Sequence, residues 1–197
     1  MYKIRPGGEL LLMIEPLPEV ATTQTETSPE VALVEAARLG DRAACAKLYA
    51  IYSPMVHGIL LARVPRGEVS DLVQDVFLLA LERFHTLRDS AAFGPWLAAI
   101  TRNRANDFHR QTRTHEELNE NLIDESPAEM ATEAAKVLAA IRTLPDAYCE
   151  TLILRLVEGM TGPEIAARTG LTPASVRVNL HRGMKLLRDK LGLEESL

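Results

Sequence analysis

Thr161 to Lys190, TGPEIAARTGLTPASVRVNLHRGMKLLRDK, is the stretch that decides the fold. Thr161 caps a first helix, with Glu164 three residues on to close a capping box. Ile165 and Ala166 supply its apolar side, and Gly170 supplies the left-handed residue that ends it. Thr172 then caps a second helix whose first position is Pro173, where the missing N–H costs nothing. The 3.6-residue period places Val176, Leu180, Met184, Leu187 and Leu191 on one face. The other face carries Ala174, Ser175, Val178, His181, Arg182 and Lys185. A short helix, a glycine turn and a longer helix with a small-then-basic outer face is the layout of a DNA-reading helix-turn-helix. An ordinary helical hairpin with a solvated charged face has the same local pattern, and this stretch alone leaves both readings open.

The surrounding composition narrows the class. The chain has 197 residues, of which 47% are hydrophobic and 25% charged, enough to bury cores in one domain or two small ones. Cys45 and Cys149 lie in no metal or redox spacing and read as reduced, partly buried thiols of a cytosolic protein. Apolar runs such as Leu10 to Ile14 are far too short to span a membrane. Glu9 and Glu15 bracket that patch, so no secretory cleavage pattern is evident.

A net charge of −5 looks wrong for a nucleic-acid binder until it is mapped. Residues 168–190 hold six cations against one acid, and residues 102–115 four against one. Residues 116–129 hold six acids and no lysine or arginine. Two basic islands flank an acidic bridge, and this distribution matters more than the total.

In chain order, residues 1–27 lack periodicity and are expected to form a mobile arm. Ser28 and Pro29 start a short helix that runs to Leu39 and stops at Gly40; Asp41 caps the next. That second helix buries Ala44, Leu48, Ile51, Val56, Ile59 and Leu60, with Pro54 expected to kink or break it. Val69 to Phe84 carries Val69, Leu72, Val73, Val76 and Ala80 as a core stripe. Leu78 and Leu81 lie opposite, among Asp71, Gln74, Asp75 and Glu82. Because unpaired carboxylates resist burial, this second face reads as a partner surface. A loop from His85 to Ala92 leads to a helix over Phe93 to Gln111. Phe93, Trp96, Leu97, Ile100 and Phe108 face inward; Arg102, Asn103, Asn106, His109, Arg110 and Arg113 face outward. Amides and arginines on one face suit phosphates and base edges, and also suit plain solvation. Residues 114–128 read as a linker. A helix from Ala128 to Arg142 and another from Leu144-Pro145 to Gly159, carrying Ala147, Leu152, Ile153, Leu156 and Val157, complete a four-helix domain under the helix-turn-helix. No strand is expected.

Four separated motifs now stand in order: Asp71-Leu-Val-Gln-Asp-Val-Phe77; Phe93-Gly-Pro-Trp-Leu97; Arg102-Asn103 with Asp107 and Arg110; and LVEGMTGPEIAARTG with SVRVNLHRG. Together they resemble a bacterial sigma factor of the sigma-70 family, in its small extracytoplasmic-function group, over about residues 28–192. The resemblance implies an all-α protein of two small helical domains joined by a flexible acidic linker. Residues 28–113 would be region 2-like, 114–128 the linker, 129–192 region 4-like, and 193–197 a tail. It implies a transcription initiation factor that binds core RNA polymerase and promoter DNA in the cytoplasm, with an anti-sigma factor as a further family partner. Asp71, Gln74, Asp75, Phe77 and Leu78 would dock on the polymerase clamp helices. Leu87, Arg102, Asn103, Asn106, Arg110 and Arg113 would recognise and open the −10 element, the loop around Leu87 to Ala92 and Asn103 holding a flipped base. Ala174, Ser175, Arg177, Val178, His181, Arg182 and Lys185 would read the −35 element. The acidic linker would pass through the polymerase channel.

Two positions depart from the family pattern. Many members carry an aromatic where Leu87 stands, and the frequent Lys-Ser-Arg run is here Arg177-Val178-Asn179. Val178 either meets a thymine methyl or packs on a neighbour. No catalytic set, metal cluster, cofactor site or membrane insertion is expected, and His57 reads as structural. The alternative is a free-standing helix-turn-helix regulator that dimerises on duplex DNA without polymerase.

Overall fold

A computed structural model describes residues 28–118 and 133–192. Eight α-helices follow one another among these residues, with no strand: α1 (Pro29–Arg38), α2 (Arg42–Leu61), α3 (Val69–Glu82), α4 (Phe93–Leu118), α5 (Glu133–Arg142), α6 (Asp146–Leu156), α7 (Gly162–Thr169) and α8 (Pro173–Leu191). The boundaries have local causes. Gly40 sits at φ +89° after α1, and the Asp41 carboxylate accepts from the N–H groups of Ala43 and Ala44 to start α2. The expected arm 1–27, the bridge after residue 118, the start of α5 before Glu133 and the tail 193–197 lie outside the described residues.

Helix α2 organises the first unit. It packs against α1, α3 and α4, and also against α6, so Tyr52, Met55, Val56, Ile59 and Leu60 are all fully buried. By length and composition it is apolar enough to cross a membrane, yet about half of its apolar stretch is buried inside the fold. A helix apolar all round is what a central core position requires. Pro54 does not break it. The helix runs from Arg42 to Leu61 without interruption, as packing from four neighbours offsets the hydrogen bond that Pro54 cannot donate.

Three further boundaries differ from expectation. Helix α3 ends at Glu82, and Phe84–Thr86 forms a 3-10 turn in the following loop, as does Ser90–Ala92. Helix α4 continues past Gln111 to Leu118, since no Gly or Pro interrupts residues 96–118. The acidic bridge thus begins as helix. Of the apolar residues expected on α6 and its end, Ala147, Leu156 and Val157 are exposed; Cys149, Glu150, Thr151, Leu152, Ile153 and Leu154 are buried instead. Six consecutive buried residues mean that α6 is covered on all sides, by α8, α5 and α7 of its own unit and by α2 of the first.

The α6–α8 contact is close because Gly183 allows it. A Cβ there would stand 3.1 Å from Leu152 Cδ1 and 3.3 Å from Tyr148 Cβ. Gly183→Val is expected to overpack this contact and lower unfolding free energy by about 1–3 kcal/mol in urea denaturation, with helix content retained.

Candidate nucleic-acid interface

The helix-turn-helix forms as its sequence dictates. Thr161 Oγ1 accepts the Glu164 N–H at 3.4 Å, and Glu164 Oε2 accepts the Thr161 N–H at 2.8 Å, closing the capping box. The hydrogen bond from the Thr161 hydroxyl, then that from its backbone, hold the Glu164 carboxyl below its ordinary value. Gly170 turns the chain at φ +77°, and Thr172 Oγ1 accepts the Ser175 N–H at 3.1 Å to cap α8. Val176 and Leu187 are buried, and Leu180, Met184 and Leu191 pack beside them. Anchored along that line, α8 leaves Ala174, Ser175, Arg177, Val178, His181, Arg182 and Lys185 all exposed on its outer side. Val178 is 43% exposed, so it does not pack into a neighbour. Asn179 turns inward instead, donating to Thr151 Oγ1 at 3.4 Å.

On α3, Asp71, Gln74, Asp75, Leu78 and Leu81 are exposed, Leu78 at 61%. Phe77 is half-buried, its ring 4.6 Å from that of Tyr49. Asp75 also carries an internal contact, a 2.7 Å ion pair with Arg104 of α4. On α4, Asn103, Asn106, Arg110 and Arg113 are exposed, with Arg110 paired to Asp107 one turn back. These four share a surface. Two expected partners do not join them.

Leu87 is 5% exposed, and its side chain belongs to the core. It supports the loop from beneath, while its carbonyl accepts from Arg38; the exposed loop residues are His85, Thr86, Arg88, Asp89 and Ala91. The Trp96 indole N–H donates to Thr86 Oγ1 at 3.2 Å, and its ring stacks 5.9 Å from Phe84. Aromatic packing therefore fixes this loop from behind.

Arg102 turns away from the surface of α4. Its Nη2 lies 2.7 Å and its Nε 3.2 Å from the two carboxylate oxygens of Glu150 on α6. Glu150 is 5% exposed and also accepts from Arg63 Nη2 at 2.9 Å. Burial pushes its carboxyl upward, but the hydrogen bonds and charges of Arg102 and Arg63 outweigh burial and hold it below the ordinary range. Around this centre, His57 Nδ1 lies 2.6 Å from Glu158 Oε1, and Arg168 donates to the Ile51 carbonyl at 3.1 Å. Sequence reasoning missed these contacts between units. A lone acid inside the apolar run of Tyr148 to Leu154 was the available signal, because such an acid requires a cation. Its partners, 48 and 87 residues away, have no local signature. Cys45 and Cys149 are free thiols, and burial pushes Cys149 up to about 11.

Comparison with known proteins agrees with this geometry. The family model described as Sigma-70 region 2 matches residues 48–115, and that described as Sigma-70, region 4 matches residues 134–187. The chain is 32% identical to the ECF RNA polymerase sigma factor SigD of Mycobacterium tuberculosis, over 95% of this chain and 94% of that one. Its fold is similar to that of CnrH in complex with the cytosolic domain of CnrY, with a TM-score of 0.57 at 23% identity over 84% of this chain and 99% of that one. It is also similar to the sigma factor RpoE in complex with the anti-sigma factor NepR from Bartonella quintana, with a TM-score of 0.52 at 19% identity over 76% and 98%.

The His57–Glu158 pair gives the contact between units a pH dependence with a definite sign. The hydrogen bond to Glu158 raises the His57 value above about 6.5, against the opposing effect of burial. Stabilisation by the protonated pair is full below the unfolded value and is lost as pH rises through the raised folded value. The thermal midpoint of the wild type is expected to fall over that interval, and His57→Gln is expected to flatten the fall; equal slopes would remove the pair as a contributor.

Proposed function

The chain belongs to the extracytoplasmic-function group of the sigma-70 family of RNA polymerase sigma factors, and from that membership we propose how its surfaces divide the work of initiation. The carrying observation is that α3, α4 and α8 of one chain offer three exposed faces of different chemistry.

The unit formed by residues 28–113 docks on core polymerase and handles the −10 element. Leu78, with Asp71, Gln74 and Asp75 beside it, offers an apolar contact rimmed by acids, with Phe77 forming its floor. Such a face suits a partner surface of matching apolar and basic character. Asn103, Asn106, Arg110 and Arg113 take the −10 strand. Amides hydrogen-bond base edges and arginines hold phosphates. Holding a base out of the stack costs a few kcal/mol, which favours a pocket on a rigid support. The Phe84–Trp96 stack supplies that support to the neighbouring loop.

Residues 129–192 read the −35 element through α8. Arg182 lies one turn and Lys185 two turns beyond Val178 on α8, so the cations follow a methyl-bearing position that suits a thymine. The chain acts in the cytoplasm, where the polymerase acts, and contributes positioning and recognition to the reaction while the polymerase performs its chemistry. An anti-sigma factor as a regulatory partner is supported by the RpoE–NepR likeness and by the exposed Leu78 and Leu81.

Promoter-directed transcription reconstituted from core polymerase and this chain tests the proposal. Leu78→Lys is expected to weaken core binding at least tenfold, about 1.4 kcal/mol, without changing thermal stability. Arg182→Ala is expected to cost about 1–3 kcal/mol at the −35 element while leaving core binding intact. Unchanged core affinity in the first variant would remove the α3 face, and an unchanged −35 footprint in the second would remove the α8 face. Tight binding of the chain alone to duplex DNA would instead favour a free-standing regulator.

A further inference from the structure

Between α2 and α3 the first unit leaves an open cleft of about 250 Å³. Cys45 and Tyr49 of α2 and Phe77 and Leu81 of α3 line it, together with the buried rings of Phe84 and Phe93. Among the described residues no charged side chain does so. The Cys45 thiol is turned to the Ala37 carbonyl at 3.9 Å, and the Tyr49 ring packs on that of Phe77. Tyr49 at 44% and Leu81 at 48% exposure leave wet apolar surface at the mouth. The volume is below the roughly 300–1,000 Å³ of small-molecule sites, and the lining offers a polar ligand little to hold. A short run of aliphatic side chains fits it better.

The rim adds a charge preference. Cys45 stands opposite Leu81 and Phe84, so the start of α2 meets the end of α3. Arg42 and Arg83 lie at that end, both exposed. Arg42 precedes Cys45 and Ala46 by three and four residues, which places it on the cleft side of α2. The neighbouring Asp41 carboxylate is taken by the N–H groups of Ala43 and Ala44. Neither arginine forms an ion pair among the described residues.

One segment of this chain has the matching chemistry. Leu10-Leu11-Leu12-Met13-Ile14 is an apolar run bracketed by Glu9 and Glu15, in the arm outside the described residues. Its tether is long enough. Ser28 leads into α1, where Glu30 accepts from the Tyr52 hydroxyl, and Tyr52 is about 10 Å along α2 from Cys45. Residues 15–27 would span up to about 45 Å if extended. Pro16 and Pro18 disfavour helix in the residues before them.

We propose that Leu10 to Ile14 seats in the α2–α3 cleft of its own chain, with a flanking glutamate beside Arg42 and Arg83. The tether gives the arm a high effective concentration at the cleft, so a small patch suffices. A second copy would have to associate through a patch much smaller than the about 20–30 residues a side of a stable interface. The seated arm covers Tyr49, Phe77 and Leu81 and leaves Leu78 open on the next side of α3. It is a property of the free chain and does not depend on the surfaces assigned above.

Disulfide trapping in the full chain tests this, with Cys45 as the native reporter. Leu12→Cys and Thr23→Cys are each oxidised in a glutathione redox buffer, and the disulfide to Cys45 is quantified by peptide mass. With an unseated arm the shorter loop closes more readily, so Thr23→Cys would lead. The proposal predicts the reverse: Leu12→Cys bonds to Cys45 at least tenfold faster, at a rate independent of protein concentration. Arg42→Glu combined with Arg83→Glu is expected to slow that bond at least threefold, and adding Glu9→Lys and Glu15→Lys is expected to restore it. Equal rates or a lead for Thr23→Cys would overturn the proposal. So would a rate that rises with protein concentration, which would put a second copy in the cleft, or a rate indifferent to the charge changes.

Discussion

A carboxylate buried to 5% exposure must be paired, and the pairing of Glu150 with Arg63 and Arg102 is the constraint around which the two units are arranged. Removing both arginines would leave an unpaired charge in a low-dielectric site at a cost of several kcal/mol. The same constraint explains why α6 is buried all round. Leu152 and its neighbours serve α8, Leu154 serves α2 beside Gly58, and the acid between them takes its cations from α2–α3 and α4. One helix thus supplies the core of its own unit and the seat of the other.

Legibility in the sequence followed the range of the forces involved. Caps and turns act within four residues, so Asp41, Thr161 with Glu164, Gly170 and Thr172 were all readable and all form. Amphipathic stripes were readable too: Val69, Leu72, Val73, Val76 and Ala80 are buried on α3, and the α8 face is open from Ala174 to Lys185. Tertiary override was not. Pro54 stays within α2 because surrounding helices hold it, and Leu87 enters the core because the loop folds over the Phe84–Phe93–Trp96 cluster. Arg102 lies at a helical position that looks outward in isolation. It meets a second unit there, and no periodicity announces a neighbour 48 residues away.

The helix-turn-helix consequently has a different status in the folded chain than in the sequence alone. Its outer face is free while its inner partner, α6, is engaged with α2 and α4. Reading of the −35 element is therefore limited by where α8 can be placed relative to the −10 surface. Tethering to a polymerase-bound unit raises the effective concentration of α8 at the promoter, so modest intrinsic affinity suffices. In the free chain the packing of α6 and α7 on α2 and α4 fixes where α8 stands.

Fluorescence energy transfer between labels on Ala99 of α4 and Leu186 of α8, both exposed and outside the proposed contact faces, measures that placement directly. The account predicts high transfer in the free chain and its near-complete loss in the complex of chain, core polymerase and promoter, as the separation rises from within about 40 Å toward about 85 Å. High transfer that persists in an initiating complex would contradict it.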